Sequence, residues 1–109
     1  SIAGLKSYGG YGIYCATKSA IISLTKTLAI ELADKKIRVN CIAPGIIKTP
    51  IWNKMYGNQA DKKLKEEEKT VLLKRSGKPE EIAHTAIFIC ENEFINGEVI
   101  VVDGGETVI

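Results

Sequence analysis

The chain has 109 residues, 45% of them hydrophobic and 26% charged, with a formal net charge of +2. That balance permits one globular unit with its own core, and the interspersed charges form no basic stripe interleaved with aromatics of the kind that tracks nucleic acid. No run approaches the roughly 18 apolar residues of a membrane span, and Cys15, Cys41 and Cys90, odd in number and set in apolar segments, read as buried free thiols of a reducing compartment such as the cytoplasm.

Residues 1–10 read as the end of a strand followed by a loop containing Gly4, Gly9 and Gly10. The pair Gly10-x-Gly12 is no dinucleotide fingerprint, because Cys15 stands at its third position and no apolar strand precedes it. A long helix is expected from about Tyr11 to Ala33, apolar on more than one side through Ile13, Ala16, Ala20, Ile21, Leu24, Leu28 and Leu32, and such a helix calls for two neighbours. After the polar turn Asp34-Lys35-Lys36, the segment Ile37 to Ala43 has the pattern of a buried strand, stopped by Pro44 and Gly45. A strand ending there presents the following backbone at the carboxyl edge of a sheet, where open α/β folds bind ligands.

Residues 50–75 are less regular, with Pro50, Trp52, Met55, Tyr56 and Gly57 ahead of the charged run DKKLKEEEK, a solvated helical face with inner contacts from Leu64, Val71, Leu72 and Leu73. Lys78-Pro79-Glu80-Glu81 marks a helix start, since proline suits the first turn and carboxylates there favour the macrodipole. That helix runs to about Cys90, and His84 on it, with no ligand at metal spacing, is a structural residue. Val99 to Val102 is a β-branched strand, closed by Asp103-Gly104-Gly105 with Asp103 capping a turn. Strands alternating with helices predict an α/β fold with a parallel sheet.

One constellation carries chemistry. Tyr14 and Lys18 are four apart on the long helix, so both side chains share a face, and Ser1 precedes the tyrosine by thirteen positions. A cation beside a phenol favours the phenolate. A free phenol titrates near ~10 and each unit is worth about 1.4 kcal/mol, so use near neutrality asks for roughly 4 kcal/mol, more than one lysine supplies. A second positive charge, such as an oxidised nicotinamide ring, and a serine hydroxyl holding the substrate oxygen complete a workable acid/base site.

The segment SIAGLKSYGGYGIYCATK at 1–18, with Ser and then Tyr-x-x-x-Lys, resembles the active-site segment of the short-chain dehydrogenase/reductase family. IRVNCIAPGIIKTP at 37–50, GKPEEIAHTAIFIC at 77–90 and NGEVIVVDGG at 96–105 follow in the family's order, most like the 3-oxoacyl-carrier-protein reductase and sugar dehydrogenase branches. Cys15 and Ser19 are mild departures within the motif.

The resemblance implies the C-terminal portion of a doubly wound Rossmann-type sheet, residues 1–109 being the catalytic part of one domain that lacks the N-terminal nucleotide-binding half. It also implies hydride transfer between NAD or NADP and a carbonyl or secondary alcohol. Tyr14 is then the general acid/base and, with Lys18, a cofactor-binding residue, while Ser1 orients the substrate oxygen and Lys18 binds the nicotinamide ribose. Pro44, Gly45, Ile47 and Thr49 fall at the nicotinamide end of the cofactor, with Thr49 also a candidate N-cap. Residues 50–75 correspond to a mobile lid, making Ile51, Trp52, Met55 and Tyr56 candidates for substrate contact or for lid packing.

The helix at 11–33 is implied to pair with its copy in a homo-oligomer, dimer or tetramer. A rival reading is a catalytically inactive fragment that serves only as an assembly or binding module. The residues that choose NAD over NADP, and most of those that choose the substrate, belong to the half this chain lacks.

Overall fold

The computed structural model describes residues 1–109, beginning with a 3₁₀ turn at Ile2–Gly4 and continuing with helix α1 at Gly12–Glu31. The first turn departs from the expected strand end. Ser1 Oγ accepts the Ala3 N–H at 3.1 Å, and the N–H groups of Leu5 and Lys6 both return to the Ile2 carbonyl, at 2.8 and 2.9 Å. Local bonds of this kind compete with a sheet ladder, and here they win.

On α1 the buried and half-buried positions Cys15, Lys18, Ile22, Thr25 and Ala29 recur every three or four residues and form one stripe. This stripe lies on the first turn and on the segment around Gly97, where Asn96 Nδ2 donates to the Ala29 carbonyl at 3.4 Å. The second apolar side has no neighbour within the chain: Ile13 is 86% exposed, and Ile21, Leu24 and Ile30 are exposed as well.

Strand β1, Cys41–Pro44, pairs in parallel with strand β2, Val99–Val102, in the register Cys41 with Val99 through Pro44 with Val102. The pairing starts four residues later than the pattern predicts. Over 38–40 side chains supplement a single backbone bond, from Gly97 N–H to the Val39 carbonyl at 2.9 Å: Val39 N–H donates to Asn96 Oδ1 at 2.9 Å, Asn40 Nδ2 to the Ile95 carbonyl at 2.9 Å, and Glu98 N–H to Asn40 Oδ1 at 3.0 Å. Arg38 reaches the carbonyls of Ile89, Cys90 and Ile95, capping the end of the last helix with a guanidinium, where the macrodipole favours a cation.

Between the strands run the short helices α2, Ile51–Tyr56, and α3, Ala60–Glu67, followed by α4, Pro79–Glu91. Helix α3 buries Ala60 and Leu64 and presents its charges to solvent, as expected. Val71 is buried too, whereas Leu72 and Leu73 are exposed. Cys15 is buried and Cys41 half-buried, but Cys90 is exposed, because the outer side of α4 has nothing packed against it. No helix is long and apolar enough to cross a membrane.

Helix α4 starts where Pro79 predicts, with Glu81 Oε2 accepting the Lys78 N–H at 2.7 Å. Arg75 grips the same carboxylate through two bonds, at 2.9 and 2.7 Å, and holds its pKa down at about 2. A depressed folded-state pKa contributes stability above the unfolded value near 4.5, lost as pH falls toward 2. We therefore expect Glu81→Gln to flatten the fall in melting temperature across that acid window, measured by thermal unfolding at a series of pH values; an unchanged slope contradicts the assignment.

Only 12 of the 109 residues are buried, Ala43 and Val71 most completely. A parallel sheet is normally covered on both faces. Here the two strands retain partly open faces, with Val101 exposed.

Candidate active site

Helix α1 presents Tyr14 and Lys18 together, the lysine Nζ standing 5.3 Å from the centroid of the tyrosine ring. Lys18 lies on the buried stripe and is half-buried, while Tyr14, on its flank, is 46% exposed. The ammonium thus has an apolar stem held by packing and a head over an accessible phenol.

The turn that Ser1 opens is seated on α1 through Gly4. A Cβ at Gly4 would lie 2.8 Å from the Lys18 carbonyl oxygen and 2.6 Å from Ile22 Cδ1, so the first turn rests directly on the backbone of α1. Ser19 Oγ seals the contact by donating to the Gly4 carbonyl at 3.0 Å. The Ser1 hydroxyl accepts from Ala3 N–H and keeps its own proton for another partner.

The same turn also touches β1. Gly45 follows β1, its N–H donating to the Val102 carbonyl at 3.0 Å, and a Cβ there would come within 2.7 Å of Asp103 Cβ. Only glycine lets the two strand ends approach this closely. Ile47 bridges to Gly77 through its neighbours: Gly77 N–H donates to the Ile46 carbonyl and Lys48 N–H to the Gly77 carbonyl, both at 2.9 Å. Its own carbonyl accepts Trp52 Nε1 at 2.9 Å, and its N–H has no hydrogen-bond partner in the chain. Thr49 does not cap α2, because the N-cap position belongs to Pro50 and the helix has no side-chain cap. The Thr49 hydroxyl is therefore uncommitted.

Of the residues expected to contact substrate, Trp52 and Tyr56 stack with centroids 5.8 Å apart, and Ile51 and Met55 are exposed. The indole bond ties this pair to the edge at Ile47.

Several contributors were not singled out from sequence. Ser19 had shown only as a departure from alanine, and Gly4 only as a loop glycine. The spacing of a glycine does not reveal which backbone it will touch. Glu106 and Tyr8 also lie close by, with Tyr8 Oη donating to Glu106 Oε1 at 3.0 Å. Burial, foremost, and then the bond to Glu106 push the Tyr8 phenol up. Burial likewise raises Glu106, against the lowering effect of Tyr8. Asp103 caps its turn as expected, accepting from the N–H groups of Gly105 and Thr107 and from the Thr107 hydroxyl. Those bonds outweigh burial and hold its carboxyl below the usual range.

Residues 1–107 match the family described as enoyl-(acyl carrier protein) reductase. The human protein "Dehydrogenase/reductase SDR family member 4" is 44% identical over 108 residues, covering 96% of this chain and 38% of that protein. Human 3-oxoacyl-[acyl-carrier-protein] reductase is 42% identical over 107 residues, covering 96% of this chain and 41% of that protein. The crystal structure of a small-chain dehydrogenase in complex with NADPH aligns with a TM-score of 0.92 at 31% identity, covering 100% of this chain and 49% of the other. The chain therefore spans less than half the length of these relatives.

Proposed function

Since this chain belongs to the short-chain dehydrogenase/reductase family, whose Rossmann-type fold it shares in part and whose members use NAD or NADP, we propose that its protein is an oxidoreductase acting on a carbonyl or secondary alcohol. In this reading residues 1–109 are the C-terminal catalytic part of a single domain. The observation that carries the proposal is the Tyr14–Lys18 pair, 5.3 Å from ammonium to ring centroid, with the Ser1 turn seated against Lys18.

The free donor set at the edge fits a nicotinamide carboxamide, which needs both donors and acceptors. Ile47 N–H offers a donor without a partner, and the uncommitted Thr49 hydroxyl offers either role. Pro44 and Gly45 shape the turn that exposes them. Lys18 binds the ribose. When bound, the nicotinamide supplies or accepts the hydride. Ser1 holds the substrate oxygen with its free proton, and Tyr14 delivers a proton to that oxygen on reduction and removes it on oxidation.

Ile51, Trp52, Met55 and Tyr56 line the substrate side of the lid at 50–75, whose closure over the substrate excludes water from the transfer. The exposed Ile13, Ile21, Leu24 and Ile30 favour association of α1 with a second copy of the chain. The three free cysteines fit a cytoplasmic setting.

The test is direct. The complete protein, mixed with NADPH or NADH and a panel of ketones, aldehydes and 3-oxoacyl thioesters, is expected to oxidise the nicotinamide in step with carbonyl loss, followed by absorbance. Absence of turnover with either cofactor across the panel overturns the reading.

A further inference from the structure

The loop that joins Ser1 to Tyr14 is clamped from behind by the far end of the chain. Tyr8 Oη donates to Glu106 Oε1 at 3.0 Å, and Lys6 Nζ donates to the carbonyls of Glu106 and Ile109 at 3.3 and 3.1 Å. On its inner side the Lys6 carbonyl faces Cys15 Sγ at 4.0 Å, one residue beyond Tyr14 on the helix.

Glu106 is in turn enclosed. It is 8% exposed, and its second oxygen, Oε2, is buried without any hydrogen-bond partner. That oxygen looks toward Gly45, where a Cβ would stand 3.0 Å from it. The turn carrying Glu106 is fixed to the end of β2 by the three bonds that Asp103 accepts. One carboxyl thus touches the loop before Tyr14 on one side and the turn after β1 on the other. Packing alone does not call for a carboxyl in such a place, since an apolar group of the same shape leaves no oxygen unsatisfied.

We propose that Glu106 is a positioning residue for the reaction, acting through Tyr8 to fix the Ser1–Tyr14 loop and through Gly45 to hold that loop in register with the cofactor edge. The inference rests on the hydride-transfer reading above. Small displacements at a reacting centre are costly, of order 100-fold for about 1 Å. A loop released at one of several anchors should lose less.

In the complete protein, Tyr8→Phe and Glu106→Ala are each expected to lower kcat about 10-fold, with cofactor affinity little changed. The double variant should be no worse than either single one, because both remove the same link. Glu106→Gln, whose amide oxygen still accepts the phenol proton, should recover most of the loss seen with alanine. A lowered melting temperature with kcat per folded molecule unchanged, additive losses in the double variant, or no recovery with glutamine would each overturn the proposal. Tyr8→Phe removes a single oxygen, so an unaltered kcat in that variant decides against the proposal even where Glu106→Ala does not fold. Loss of turnover in Tyr14→Phe alongside an unaffected Tyr8→Phe sinks only the positioning role; full turnover in Tyr14→Phe sinks the reading beneath it.

Discussion

Replacing Tyr14 by phenylalanine in the complete protein should cut turnover by about 100- to 10,000-fold, the range that one positioned acid/base group contributes. In barrier terms that is roughly 3–5 kcal/mol. The substitution deletes only the phenolic oxygen. The ring remains beneath the Lys18 ammonium, the helix keeps its stripe on the first turn, and the edge proposed for the nicotinamide lies elsewhere in the sequence. Cofactor affinity, read by nicotinamide fluorescence, should accordingly hold within a few-fold while kcat collapses. The opposite pattern, with retained kcat and weakened cofactor binding, would assign Tyr14 to binding and remove it from the proton transfer.

The second large effect is expected from Gly4→Ala. A methyl group there meets the Lys18 carbonyl carbon and oxygen at 2.9 and 2.8 Å. Those are backbone atoms of a helix and have little room to move, unlike the flexible tip of Ile22, which also lies in the way. Overpacking of this kind costs about 1–3 kcal/mol. The same shift moves the turn that carries Ser1 relative to α1, so on the proposed roles turnover should fall on the order of 10- to 100-fold beyond any loss of folded protein. Thermal unfolding and kcat per folded molecule separate the two effects. A variant with normal turnover would mean that the close approach of the first turn does not set the serine's position.

The contrast between what the sequence disclosed and what it hid has a physical basis. The helix expected over Tyr11 to Ala33 is found at Gly12–Glu31, because five or more turns of periodic apolar residues carry a strong local signal. Val99–Val102 is found where four β-branched residues stand together, and α4 begins where a proline fixes the first turn. The shared face of Tyr14 and Lys18 was legible for the same reason, since a four-residue spacing on a helix is local geometry.

What failed was decided by groups distant in sequence or by competition within a few residues. The apolar Ile2-Ala3 looked like a strand end, yet Ser1 capped a tight turn instead. The strand expected from Ile37 begins at Cys41 because Asn96, far along the chain, claims the Val39 N–H. Thr49 had the type and place of a cap, but the helix begins beyond it, without a side-chain cap. Cys90 sits in an apolar run of which Ile89 is buried while Ile87, Phe88 and Cys90 itself are exposed. The indole bond from Trp52 to Ile47 and the bond between Tyr8 and Glu106 have no local signature, since neither residue type announces its partner.

The parallel pairing of β1 with β2 also bears on the order in which the site comes together. Helix α1 closes through bonds between near neighbours and needs no distant partner, so the tyrosine and lysine can be aligned early. The strands meet only after the whole intervening stretch, α2 through α4, has been looped back, and such closure is slow because chain entropy is lost before contacts repay it. The pair proposed for proton transfer thus forms ahead of the edge proposed for the nicotinamide, and a folding chain should acquire helical signal well before the two strands are paired.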